Sequence, residues 1–170
     1  GTTFTVNLPI MIVHGEVREL PRVHPTAGGS ITLAARPWLD GLRVLIVDDE
    51  PDTLAMLEIM IGEFGAEVRC CSSAAEALVA MDDFKPDVVV SDIEMPGEDG
   101  YQLIAKIRAR DRGRGAQTPA IALTAYARAE DRVRALAAGY QMHLAKPFEP
   151  AELAVVIASV AGRSVKGSAV

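Results

Sequence analysis

Five short apolar runs, each followed by a segment with helical spacing, recur between residues 42 and 161, and this alternation constrains the fold more than any other feature of the chain. The runs LRVLIV (42–47), AEVRCC (66–71), DVVVS (87–91), PAIAL (119–123) and QMHLA (141–145) have the length of strands. Between and after them the apolar residues shift to the period of a helix. Leu54, Leu57, Ile61 and Phe64 share one face, and Ala74, Ala77, Leu78 and Met81 share another. Leu103, Ile104 and Ile107 define a third inward face, Val133, Leu136 and Ala137 a weaker fourth, and Leu153, Val156, Ile157 and Val160 a fifth. Pro51 stands where a first helical turn tolerates it, Gly65 and Gly139 where helices stop, and Ser72 or Ser73 precedes the second helix, with Glu76 at capping-box spacing from Ser73. Five successive βα units predict a parallel sheet with right-handed crossovers and helices on both faces. Such a sheet needs an aliphatic core, and the chain is 49% hydrophobic with only 5% aromatic residues.

In open parallel sheets, ligands bind outside the carboxyl ends of the strands. The residues at those ends are Asp48 and Asp49 with Glu50 after the first strand, Asp92 after the third, Thr124 after the fourth, and Lys146 followed by Pro147 after the fifth. Taken singly, the aspartates could cap a helix or form a turn, and Thr124 could be a hydroxyl cap. Taken together, they bring three carboxylates, a hydroxyl and an ammonium to one edge. Clustered carboxylates repel by about 1–4 kcal/mol per pair at ~4 Å. A hard divalent cation relieves that repulsion, and Mg²⁺ binds through one or two carboxylates while keeping waters for phosphate oxygens. An aspartate beside such an ion and an ammonium can attack a phosphoryl group and become an acyl phosphate, with the hydroxyl as sensor.

Four motifs stand at these strand ends in order: LIVDDE (45–50), VVVSDIEMPGEDG (88–100), LTAYA (123–127) and LAKPF (144–148). Over residues 42–161 the chain thereby resembles the receiver domain of two-component response regulators. The resemblance implies a flavodoxin-like doubly wound α/β sandwich whose parallel five-stranded sheet has the order 2-1-3-4-5. It implies that Asp92 is the phosphoacceptor, and that Asp48, Asp49, Asp92 and the main-chain carbonyl of Glu94 hold Mg²⁺, for which Mn²⁺ can substitute. It implies further that Thr124 and Lys146 take the sensing and charge-neutralising roles and that the Lys146–Pro147 bond is cis. At the switch position three residues before the lysine, where well-studied members carry Tyr or Phe, this chain has His143. The implied phosphodonor is a histidine kinase or histidine phosphotransfer domain. The face of the fourth helix, fifth strand and fifth helix is the candidate homodimer surface.

The amino-terminal GTTFTVNLP (1–9) resembles the closing strand of a sensor histidine kinase ATP-binding domain, and a chain that starts at Gly1 reads as a cut piece. The expected organisation is therefore a kinase remnant at 1–10, a Pro- and Gly-containing linker at 11–40, a receiver at 41–162 and a tail at 163–170, from a hybrid sensor kinase. A net charge of −6 gives no general attraction to nucleic acid. No apolar run approaches the ~20 residues of a membrane span, and no signal peptide opens the chain. The two cysteines, Cys70 and Cys71, are adjacent, which suits neither an internal disulfide nor a metal site and points to a reducing cytoplasm. His14, His24 and His143 lack metal-ligand spacing, and Met56 and Met60 read as packing residues.

The alternative enzyme is an Asp-nucleophile phosphohydrolase with Glu94 as general acid. It is weakened because Asp48 and Asp49 precede Asp92 by a whole βαβ unit and no cap domain is present. A nucleotide- or flavin-binding module would need a phosphate-cradling glycine loop after a strand, and none is there. After Ile157 too few residues remain for a helix-turn-helix.

Overall fold

The computed structural model describes residues 39–111, 118–125 and 128–163. The elements alternate as β1 (Arg43–Val47), α1 (Pro51–Glu63), β2 (Glu67–Cys71), α2 (Ala74–Asp83), β3 (Val88–Asp92), α3 (Gly100–Asp111), β4 (Ala120–Thr124), α4 (Ala129–Ala138), β5 (Met142–Ala145) and α5 (Pro150–Val160). All strand pairs are parallel and the sheet order is β2-β1-β3-β4-β5. This is the doubly wound, flavodoxin-like arrangement. The chain reverses its direction of travel across the sheet between β1 and β3, which opens a crevice at their carboxyl ends.

Burial follows position in the sheet. β3 and β4 are buried at every residue, as strands covered on both faces must be, whereas the edge strand β2 alternates between exposed and covered positions. One apolar layer joins α1 and α5 to the sheet through Val44, Ile46, Val90, Leu123, Leu57 and Ile157. The opposite layer joins α2 and α3 through Leu45, Val47, Val89, Ala77, Leu103 and Ile107. Ser73 is the N-cap of α2, its Oγ accepting from the Glu76 N–H at 3.3 Å. Glu76 reaches back one residue beyond the usual capping box, accepting from the Ser72 N–H at 2.8 Å and its hydroxyl at 3.1 Å.

The expected inward face of α4 is corrected. Val133 and Leu136 are 66% and 42% exposed and Ala137 faces solvent, while Ala135 is fully buried and Ala138 packs on the core. The helix meets the sheet through small side chains, so a rule that turns the largest apolar residues inward picks the wrong stripe. Met56 on α1 is likewise 48% exposed and is not a packing residue. α4 ends on Gly139, whose φ of 117° is the left-handed conformation that glycine adopts without strain.

Leu39, at the start of the described residues, is packed into the core. Its side chain is fully buried and its N–H donates to the Phe64 carbonyl at 3.0 Å. Arg163 closes the other end by donating to the Asp40 carbonyl at 2.7 Å. Residues 1–38, with the kinase-remnant segment, Trp38 and nearly all of the 11–40 linker, lie outside the described residues, as does the tail from 164. Among the described residues no helix is long and apolar enough to cross a membrane.

Candidate functional site

Each site residue is placed by the end of a strand. Parallel pairing of β1 and β3 sets Val47 opposite Ser91, so Asp48 and Asp92 follow at the same level of neighbouring strands. Pairing of β3 with β4 sets Asp92 opposite Leu123, and pairing of β4 with β5 sets Thr124 opposite Ala145, one residue before Lys146. The Lys146 N–H then donates to the Thr124 carbonyl at 2.7 Å, and the Lys146–Pro147 bond is cis.

Lys146 ties the edge together. Its Nζ lies 2.8 Å from Asp48 Oδ2 and 2.9 Å from Asp92 Oδ2, joining residues 98 and 54 positions away in the chain. Asp48 is 1% exposed and Asp92 is 8% exposed. The other carboxylate oxygens accept locally: Asp48 Oδ1 from the Glu50 N–H at 3.0 Å, and Asp92 Oδ1 from the Glu94 N–H at 3.3 Å. Burial alone would lower the pKa of the Lys146 ammonium, but its hydrogen bonds to Asp48 and Asp92 and their charges outweigh this, and the net shift is upward.

Asp49 projects into the same cleft from the exposed side. One oxygen from each of Asp48, Asp49 and Asp92 lies within 4.8 Å of the others. The cleft, of about 480 Å³, is lined by Asp48, Asp49, Glu50, Pro51, Asp92, Glu94, Ala125 and Lys146. Helix capping does not account for the acid pair, because the N-cap of α1 is Glu50. Three carboxylates against one ammonium leave excess negative charge, and an all-oxygen donor set of this kind fits a hard divalent cation.

Residues 44–158 match the family model described as the response regulator receiver domain. The chain belongs to that family. Receiver domains act in two-component signal transduction and take phosphoryl groups from histidine kinases or phosphotransfer domains. The receiver is 46% identical over 112 residues to the uncharacterized 14.6 kDa protein in the sodA1 3′ region of Leptolyngbya boryana, covering 66% of this chain and 84% of that one. It is 34% identical over 128 residues to the sensor protein GacS of Pseudomonas syringae, covering 75% of this chain but only 14% of GacS. The larger regulators and sensors that it matches are thus spanned over about half of their length or less. Among solved structures, it is similar to the receiver domain of the sensor histidine kinase PA1611 from Pseudomonas aeruginosa, which holds a magnesium ion in its active site cleft. That likeness has a TM-score of 0.64 at 34% identity and covers 72% of this chain and 98% of that one.

Of the other residues singled out in the sequence, Glu94 lines the cleft and Thr124 and His143 lie in β4 and β5. Thr124 is 2% exposed at the end of β4, next to cleft-lining Ala125. His143 lies in β5 opposite Ala122, half-buried, and its Nε2 is covered without a hydrogen-bond partner among the described residues. Glu94 is exposed at the rim.

Two buried side chains, Arg108 and Tyr140, and the close packing of Gly100 are visible only in the structure. Arg108 is 8% exposed and bonds the Gly139 carbonyl at 2.9 Å, the Thr118 carbonyl at 2.7 Å and Gln141 Oε1 at 2.9 Å. Its position four residues after Ile104, on the inward stripe of α3, was the available signal. Tyr140 is 3% exposed and donates to the Gly100 carbonyl at 2.8 Å. Gly100 packs directly on the Asp92 peptide, where an added Cβ would stand 2.8 Å from Ile93 Cα and inside contact distance of the Asp92 carbonyl oxygen.

Proposed function

We propose that this receiver takes a phosphoryl group from a phosphohistidine onto Asp92 and changes conformation in response. The observation that carries this reading is the ammonium of Lys146 bonded at once to Asp48 and Asp92. In the transfer, a carboxylate oxygen of Asp92 forms a bond to phosphorus, the bond from phosphorus to the donor imidazole nitrogen breaks, and the imidazole leaves. Lys146 holds Asp92 at the cleft floor and faces the charge that develops on the transferring oxygens. Asp48 keeps Lys146 in place. Asp48, Asp49, Asp92 and the Glu94 carbonyl would hold Mg²⁺, or Mn²⁺ in its stead, which when bound would add charge neutralisation for the phosphoryl oxygens. The donor set of three clustered carboxylates supports this assignment.

Thr124 and His143 are the proposed switch pair. Thr124 ends its strand at the cleft and His143 stands in the adjacent strand, opposite Ala122. Movement of the Thr124 hydroxyl toward a phosphoryl group would free space for the imidazole ring. The exposed Val133, Leu136 and Met142 support the face of α4, β5 and α5 as the surface for a second copy. The likeness to receivers of sensor kinases supports a hybrid sensor kinase as parent, with residues 1–10 the remnant of its ATP-binding domain and 11–40 a linker. A cytoplasmic location, a phosphorylated histidine domain as partner, and no nucleic-acid contact complete the proposal.

The test is mass spectrometry after incubation with acetyl phosphate, with and without Mg²⁺. A single phosphoryl group on Asp92 that depends on the ion is expected. Undiminished labelling of the Asp92→Asn variant would overturn the assignment.

A further inference from the structure

The phosphoacceptor loop has a buried brace on its far side. From Asp92 the chain turns through Pro96 and Gly97 and returns, so that the Gly100 N–H donates to the Ile93 carbonyl at 2.9 Å. Gly100 thereby lies against the Asp92 peptide, at a distance no side chain could share. The Ser91 hydroxyl donates to the Asp92 carbonyl at 2.8 Å from the same side. Into this corner comes the phenol of Tyr140, donating to the Gly100 carbonyl at 2.8 Å. Desolvation by burial pushes the phenol well above its ordinary pKa, so it remains a donor.

The other end of Tyr140 is equally fixed. Its N–H donates to the Ala135 carbonyl at 3.2 Å, and the flanking Gly139 and Gln141 are both bonded to the Arg108 guanidinium. Its ring belongs to the apolar layer that also holds Leu103, Ile104 and Ala135. Tyr140 therefore runs as a strut from the start of β5 to the back of the loop carrying Asp92 and Glu94. Close-packed interiors transmit small displacements rather than absorb them.

We propose that Tyr140 is a positioning residue for phosphoryl transfer, holding the Asp92–Gly100 loop in its reactive shape through its hydroxyl. The inference rests on Asp92 being the acceptor. The hydroxyl touches neither donor nor reacting atoms, so it acts on the rate at which the assembled site reacts and not on how the donor binds.

The experiment compares the full chain with its Tyr140→Phe variant, which keeps the ring and removes only the hydroxyl. With acetyl phosphate as donor and Mg²⁺ fixed, the limiting rate of Asp92 phosphorylation per folded molecule should fall about fivefold to tenfold, the factor a single buried hydrogen bond carries. The acetyl phosphate concentration for half-maximal rate should stay the same. A purely structural tyrosine would instead lower the melting temperature and leave the limiting rate of the folded fraction unchanged, and that result overturns the inference. Label at Asp92 in the wild type with a wild-type rate in the variant overturns the inference alone. Label at another residue in the wild type overturns the assignment of Asp92 and the inference with it. If the variant does not fold, the wild type decides: beryllofluoride should shift the Tyr140 ring resonances, and unmoved resonances overturn the strut.

Discussion

Removal of the Lys146 ammonium, as Lys146→Met, tests the electrostatics of the site through stability. Nζ sits 2.8 and 2.9 Å from two carboxylates that are 1% and 8% exposed, while its own side chain is 30% exposed. An attraction across ~4 Å is worth ~1 kcal/mol in water and ~4 kcal/mol at the effective dielectric of a protein surface. The partial exposure of the lysine places each contact between those limits, and desolvation of the ammonium offsets part of the sum. The variant should thus lose about 2–4 kcal/mol, or ~10 °C in melting temperature for a domain of this size. The assay is urea denaturation in EDTA and again with Mg²⁺. A cation relieves the repulsion that lysine leaves behind, so Mg²⁺ should stabilise the variant more than the wild type. A variant as stable as wild type in EDTA, or one that gains less from Mg²⁺, would refute this account of the site.

Arg108→Met should cost about 2–4 kcal/mol in denaturant unfolding, because it leaves the Thr118 and Gly139 carbonyls short of a buried donor; Arg108→Lys should recover little, having no planar fork for three acceptors. Burial, then the charges of Glu58 and Cys71, push the Cys70 thiol up from 9.0 to about 11. The unfolded chain ionises first, so this contribution to stability is whole below pH 9 and is lost as pH rises toward 11; the wild type should lose more stability than Cys70→Ala over that window. Deleting residues 1–38 should leave the denaturation midpoint and Asp92 phosphorylation nearly unchanged. Deleting Leu39 as well removes a fully buried side chain and should cost about 2–4 kcal/mol.

Local pattern carried the architecture. Strand-length aliphatic runs alternating with helical spacing admit few arrangements besides a doubly wound sheet, and the chemistry at each strand end was visible because in a parallel sheet all those ends share one edge. Asp48, Asp92 and Lys146 could therefore be grouped before any distance was known. The burial of Leu39 and the phase of α4 were not legible. Val133, Leu136 and Ala137 have as good a helical spacing as Ala135 and Ala138, and only the approach of helix to sheet decides which stripe is covered. Arg108 and Tyr140 were hidden for a related reason. An arginine in a helix and a tyrosine after a glycine look solvated or aliphatic-adjacent along the chain, and their roles depend on backbone carbonyls 31 and 40 residues away. Periodicity reports which face an isolated element would bury; the partners that satisfy a buried donor exist only once elements distant in sequence have packed.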